Sequence, residues 1–375
     1  MSQQNEKISS MLAGRIEAGD FPSAVYLVAE RGRARMAGAL GRAVSEPEEH
    51  AANLDTIYDL ASLTKPLVTG LLCAMRIERG ELALDGEIGF HLPEFDRADK
   101  CTLTLGQLLT HTSGLPAWRP LYIEASDRSQ VLRRIAEQPL ESAPGTVVRY
   151  SDLGFITLGL LIERLAGAPL SEVARREIFE PLALKRTFFN PERSLRAEVA
   201  ACETGNAYER EMCRELKTAE WARWREYLIW GEVHDGNAHF LGGAAGHAGL
   251  FSTARETLRI AEQFLPGSTR LLATQTCALF RTNMTEGLNE ARSVAWQLAA
   301  TEGSTAGPAL AADSFGHTGF TGTSCWIDSQ RERIFILLTN RTHARPLPFV
   351  NINSVRRTFH TLAARALDEE RGAER

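Results

Sequence analysis

Runs rich in β-branched and aromatic residues stand at both ends of this chain, and that distribution limits the folds open to it. Near the N-terminus "SAVYLVAERGRARMAGALG" reads as two strands joined at Arg31-Gly32, and "TIYDLAS" as another. Near the C-terminus "SVAWQLA", "GTSCWID" and "RIFILLTN" read as strands. Between them the periodicity is helical: after residue 65, near 128–138, over 152–167 to Gly167, and over 171–183. Ile8, Met11, Leu12 and Ile16 predict an amphipathic first helix closed by Gly19, and residues 351–368 a closing one. The pattern predicts one α/β lobe (about 1–60 and 290–375) built from both termini. A mostly helical lobe (about 61–289) is inserted within it. At 375 residues the chain can bury a large core, and we read 1–375 as a single domain of two lobes.

The formal charge of −5 argues against broad attraction to nucleic acid or to an anionic membrane. No segment approaches the length of a membrane span. The first twenty residues lack an apolar signal core, so a cytoplasmic location is expected. Cys73, Cys101, Cys202, Cys213, Cys277 and Cys325 are scattered without a C-x-x-C pair, which favours reduced thiols. A Cys202–Cys213 disulfide stays open at this level. No G-x-S-x-G, G-x-x-x-x-G-K or G-x-G-x-x-G occurs, so neither an α/β-hydrolase elbow nor a nucleotide site is supported. No cofactor is expected, and the partner is a small-molecule or peptide substrate.

In "ASLTKP" Ser62 stands three residues before Lys65, at the start of a helix whose stripe is Leu67, Leu71, Leu72 and Met75. A cap serine followed by a solvated lysine is the ordinary reading. Against it, three residues of helical spacing put both side chains on one face, and a buried lysine is one way to activate a serine. Two further segments have the right chemistry to converge there: "RYSDLGF", with Tyr150, Ser151 and Asp152, and "FGHTGFTGTSCWID", with His317, Thr318 and Gly319.

Together, Ser62-Leu-Thr-Lys65, Tyr150-Ser-Asp152 and His317-Thr-Gly319 resemble the three motifs of the serine β-lactamase and penicillin-binding superfamily, in the family's order. The tyrosine motif is similar to that of the class C branch and its esterase and D-peptidase relatives. "HTSGLP" and "PGTVVRYSDLGFITLGLLIERLAG" fit the same pattern, and "VHDGNAHFLGGAAGHAGLFSTA" resembles muropeptide-amidase and penicillin-binding-protein-4B-like members. The resemblance implies a β-lactamase-like α/β (α+β) fold, an antiparallel sheet flanked by helices plus a mostly helical lobe. It also implies a serine hydrolase that works through a Ser62 acyl-enzyme. Lys65 or Tyr150 is then the base, and the backbone N–H groups of Ser62 and Phe320 form the oxyanion hole. Thr318 and Gly319 become substrate-binding, Gly319 because a side chain there would crowd the substrate.

Two positions depart from the family's common pattern. Asp152 stands where asparagine is frequent, which puts an acceptor in place of an amide donor near the acyl side chain. His317 stands where lysine is usual, removing a permanent charge and with it a carboxylate anchor. Lys65 nearby disfavours a second cation, so His317 is expected to be neutral at pH 7.

Asp235 and Asn237 are read as a loop wall near the cleft, and Trp118 with Arg119 as either acyl-pocket lining or plain packing. His234, Asp235, His239 and His247 fit no compact zinc signature, so no metal is expected. The run "EREMCRELKTAEWARWREYLIW" reads as helix, either covering a cleft or packing, with its tryptophans as core. Thr253 and Glu256 have capping-box spacing. A cell-wall-derived peptide or muropeptide amide is the expected substrate. A small carboxylic ester is the runner-up, and a non-catalytic peptide or peptidoglycan-fragment binder the reading of another class.

Overall fold

The computed structural model describes residues 3–215 and 224–373. The predicted hairpin forms: β1 (Ser23–Glu30) pairs with β2 (Arg33–Val44), and Arg31 and Gly32 both take positive φ, the two-residue turn that matches strand twist. β3 (His50–Ala51) extends this edge. Strands β4 (Tyr58–Asp59), β5 (Phe188–Phe189) and β6 (Leu250–Ser252) form a small separate sheet in the order β4-β6-β5. From the other end of the chain come β7 (Gln297–Leu298), β8 (Phe315–Thr318), β9 (Ser324–Asp328) and β10 (Arg333–Thr339). The large sheet runs β3-β2-β1-β10-β9-β8-β7, every pair antiparallel, so β1 and β10 join the termini at its centre.

The two faces of that sheet follow the alternation of a strand. Ala24, Tyr26 and Val28 of β1, with Phe335 and Leu337 of β10, face a core closed by the terminal helices Gln3–Glu17 and Asn353–Ala373. Val25 and Leu27, with Ile334, Ile336 and Leu338, face the larger core shared with the helical lobe. The register pairs Tyr26 with Leu337 and Val25 with Leu338, so each cross-strand pair stays on one face. Among the described residues no single helix is long and apolar enough to cross a membrane. Nor, among those residues, does a disulfide join any of the six cysteines, Cys202 and Cys213 included.

Three local expectations change. "SVAWQLA" contributes only two residues to the sheet, because Val294 and Trp296 are buried among Phe264, Phe280 and Phe315 instead of pairing along a ladder. The run from 209 is helical as Ala207–Glu215; residues 216–223, with Trp221, lie outside the described residues, and 224–230 is not helix. Trp230 instead donates its Nε1–H to the Val199 carbonyl at 2.7 Å, under the Arg196 guanidinium. Thr253 caps its helix, but Glu256 does not complete the box: its carboxylate accepts from the Lys185 and Arg186 N–H groups and from Thr187 Oγ1.

Candidate active site

The chain turns sharply into Ser62. Ala61 adopts φ +47°, a conformation costly for a residue with a Cβ, and Asp59 Oδ1 holds its N–H at 2.8 Å. Thr64 Oγ1 donates to the Ala61 carbonyl at 2.7 Å and closes the turn. Ser62 follows at the lip, and Lys65 opens a wide-turn helical stretch over 65–70 that passes into the helix Leu71–Glu78. Such wide turns are frequent at functional sites.

Lys65 is fully buried. Its Nζ donates to Ser62 Oγ at 3.1 Å and to the His247 carbonyl at 3.1 Å, and pairs with Asp152 Oδ1 at 2.7 Å. Burial pulls the Lys65 pKa down, but the Asp152 carboxylate and then Tyr150 outweigh it, and the net shift is upward. Lys65 is therefore an ammonium in the resting site. The Tyr150 side chain shares the cavity with Ser62, and the Lys65 ammonium lies 4.9 Å from its ring centroid. Burial raises the Tyr150 pKa more than Lys65 lowers it, so the resting phenol keeps its proton.

Asp152 therefore has another place than the sequence reading gave it. Its carboxylate points back at Lys65 and does not line the cleft, because Ser151 caps the helix Asp152–Ala166 and sets Asp152 in its first turn. Asp235 also lies behind the site. It caps the short helix Gly236–Phe240 through Ala238 N–H and bonds His247 Nε2 at 2.9 Å, steadying the residue whose carbonyl holds Lys65. Trp118 is half-buried with its edge toward Tyr122, away from the cavity lining, and Asn237 bonds the Leu121 N–H and the Arg119 carbonyl. His234 bonds Glu203 at 2.7 Å and His239 faces Glu232 at 3.7 Å; among the described residues no three ligand-type side chains gather into a metal cluster.

Ser62, Tyr150, His317, Thr318, Gly319 and Phe320 do share one cavity, of about 850 Å³. Gly319 is constrained from behind rather than from the substrate side. A Cβ there would stand 2.6 Å from the Leu60 carbonyl oxygen and 2.1 Å from Thr323 Oγ1. That packing presses the Gly319–Phe320 turn against the turn that carries Ser62. Thr321 Oγ1 and Thr323 Oγ1 donate to the Asp59 and Leu60 carbonyls at 2.8 and 3.0 Å. Phe320 presents its ring to Tyr208 and His234, with the Arg341 guanidinium 4.9 Å from its centroid.

His317 is buried and held neutral. Burial is the largest cause of its lowered pKa, with Lys65 and then Arg292 adding like-charge repulsion. Its Nδ1–H donates to the Thr318 carbonyl at 2.8 Å. The fixed charge of the cleft comes from residues that no motif marks. Arg292, Arg341 and Arg356 line it against the carboxylates of Glu290 and Glu302. Arg356 donates to the Gly319 and Thr323 carbonyls at 2.7 and 3.0 Å, while Arg292 is tied to Glu290 and lies 5.8 Å over the Tyr150 ring.

Comparison with known proteins gives a consistent picture. The Beta-lactamase family model matches residues 8–356. An N-acetylmuramyl-L-alanine amidase of Bacillus subtilis is 30% identical over 370 residues, covering 90% of this chain and 81% of the relative. Among solved structures, a β-lactamase/D-alanine carboxypeptidase from Pseudomonas syringae superposes with TM-score 0.74 at 19% identity, over 96% of this chain and 99% of the other. EstCE1, a hydrolase with promiscuous acyltransferase activity, gives TM-score 0.74 at 24% identity over 96% and 99%.

Proposed function

The chain belongs to the β-lactamase family and is a serine hydrolase, and from that premise we propose that it cleaves the amide of a cell-wall-derived peptide or muropeptide through a Ser62 acyl-enzyme. One observation carries the reading: Ser62 Oγ lies 3.1 Å from a buried ammonium that sits 4.9 Å from the Tyr150 ring centroid, and it opens onto a cavity large enough for a peptide. In acylation Ser62 Oγ bonds the substrate carbonyl carbon and its proton passes into the Lys65–Tyr150–Asp152 group. The same group returns a proton to the leaving amine. With an ammonium and a phenol at rest, the serine proton is relayed through Tyr150 or Lys65, each passing on its own proton, and the net acceptor is the Asp152 carboxylate. Water repeats the sequence to release the acid. Developing oxyanion charge falls between the Ser62 and Phe320 N–H groups.

The amide reading rests on the 30% identity to a muramyl-L-alanine amidase and on the arginines that line the cleft, which suit a substrate bearing carboxylates. A neutral ester is the second reading, favoured by the uncharged His317 where a cation would otherwise stand. Incubation with a muramyl peptide, a D-alanyl-D-alanine peptide and a p-nitrophenyl ester side by side, followed by mass analysis of products, separates the two. Release of free peptide and muramic acid, with kcat/KM above that for the ester, is expected. Turnover of the ester alone would replace the amide reading.

A further inference from the structure

We infer that His111 is a positioning residue for Tyr150, a role that rests on the acyl-enzyme reading above. His111 takes φ +59° at the end of the helix Leu105–Leu109 and is 1% exposed. This left-handed turn closes the helix, with the Thr112 N–H on the Gln107 carbonyl at 2.8 Å, and it aims His111 at the segment that carries Tyr150. The His111 carbonyl accepts the Arg149 N–H at 2.8 Å, and its ring Nδ1 accepts the Ser151 N–H at 3.0 Å. The two residues that flank Tyr150 are thus held by two acceptors of a single residue. The imidazole also lies against the Tyr150 ring, with centroids 4.5 Å apart at 35°, and is backed by Phe155 at 4.9 Å.

Backbone on both sides and ring packing on one face together set where the Tyr150 side chain stands beside Ser62 and the Lys65 ammonium. The grip depends on Nδ1 being an acceptor, so the ring must be neutral with its proton on Nε2. Burial, reinforced by the Arg292 and Lys65 cations, keeps it so. A leucine of similar bulk would pack there but could not accept the Ser151 N–H. The neighbouring carbonyls of Thr112 and Gly114 accept from Gly145 and Glu141 at 2.8 Å each, and those of Pro116 and Ala117 from Ser151 Oγ and the Asp152 N–H at 2.7 and 2.8 Å. His111 alone of this loop reaches both flanks of Tyr150 and its ring.

The test compares wild type, His111→Ala and His111→Asn in their rate of Ser62 modification by a fluorophosphonate, across pH, with folding checked by thermal melting. Asparagine tolerates positive φ, and its amide oxygen can accept the Ser151 N–H. His111→Ala should slow modification by about 10²-fold, as displacement of a proton-transfer group does. It should also shift the pH–rate profile while changing the half-saturating probe concentration by less than about threefold, on the expectation that positioning acts on the reacting complex. His111→Asn should recover about tenfold of that loss, the value of one hydrogen bond in the reacting complex. A folded His111→Ala with wild-type rate and profile overturns the inference. So do equal losses in Ala and Asn with an unmoved profile, or failure of both to fold, since each makes the residue scaffold only. If wild type itself is not modified, the acyl-enzyme reading fails and takes the positioning role with it.

Discussion

Two walls of the cleft are built differently. One comprises residues 59–65 and 319–323, stitched by Thr64, Thr321 and Thr323 hydroxyls to backbone carbonyls and by Arg356 to two more. The other, residues 289–305, is anchored by backbone bonds and by β7. The groups it turns to the cleft, however, are held by side chains: Arg292 to Glu290, and Asn289 to both the N–H and the carbonyl of Val148. Glu302 and Gly303 on this second wall are exposed. Proton transfer needs groups fixed within hydrogen-bond reach, whereas recognition tolerates adjustment of side chains. Ser62 and Lys65 therefore sit on the locked wall, and Arg292, Glu290 and Glu302 turn their charges to the cleft from the adjustable one.

The largest effects should come from Lys65 on the locked wall and from Tyr150, which faces it across the site. Lys65→Ala and Tyr150→Phe should each lower kcat by about 10²–10⁴-fold, as removal of a positioned proton-transfer group does. Both should keep the wild-type circular dichroism spectrum. Near-normal turnover in either variant would remove that residue from the mechanism, and in Lys65→Ala it would break the contrast between the walls.

A matched pair of glycine changes sharpens it. Gly319→Ala must displace the Leu60 carbonyl or the Thr323 hydroxyl, and overpacking of this kind costs about 1–3 kcal/mol. Gly303→Ala on the other wall meets nothing within 4 Å and pays only for its φ of +71°, about 1–2 kcal/mol. The two variants should lose comparable melting temperature, but Gly319→Ala alone should also lose more than about tenfold in kcat, because its strain lands on the Ser62 turn. Equal kcat in the two would mean that the locking of the first wall does not serve catalysis.

The smallest effect concerns His317, which lies against Tyr150 with ring centroids 5.7 Å apart. Its pKa is lowered, so it is neutral at and above the ordinary histidine range, and no limb of the pH–rate profile near ~6.5 should belong to it. His317→Gln should leave that profile unmoved, with kcat/KM for a neutral ester changed by less than about tenfold, the worth of one hydrogen bond. The linked stability has a definite sign. The unfolded chain binds a proton at such a histidine more readily than the folded one, so stability is full above the unfolded pKa and falls as pH drops below about 6.5. His111, lowered for the same leading reason, adds to the trend. The pKa values of His234 and Glu209 are shifted upward and act with the opposite sign, so the test is the difference between proteins. The loss of melting temperature on acidification should be smaller in His317→Gln than in wild type, and an equal loss would contradict the assignment.

How much of this was legible before the fold was known follows from the same division. Ser62, Lys65, Tyr150 and His317 stand in short motifs, since a site for proton transfer needs particular residues at fixed spacings. The hairpin at Arg31-Gly32 and the helix closed at Gly167 were equally plain, each marked by a glycine at positive φ. Asp152 was legible as a residue but not as a partner: the sequence shows an acid after Tyr150-Ser151 and not the direction its carboxylate takes. Arg292, Arg356 and Glu290 carry no motif, because they reach the cleft from loops and from the last helix through tertiary packing alone. His111 lay in plain sight within "HTSGLP". Its grip on residues 149 and 151 spans about forty residues of chain, and local spacing cannot encode that.

The acyl-enzyme is the claim on which the rest depends. Intact-mass measurement after incubation with a fluorophosphonate, with peptide mapping of the adduct, tests it directly. Wild type should gain one adduct, mapped to Ser62, and Ser62→Ala should gain none. A wild-type protein left unmodified, or an adduct that persists in Ser62→Ala, would contradict the account.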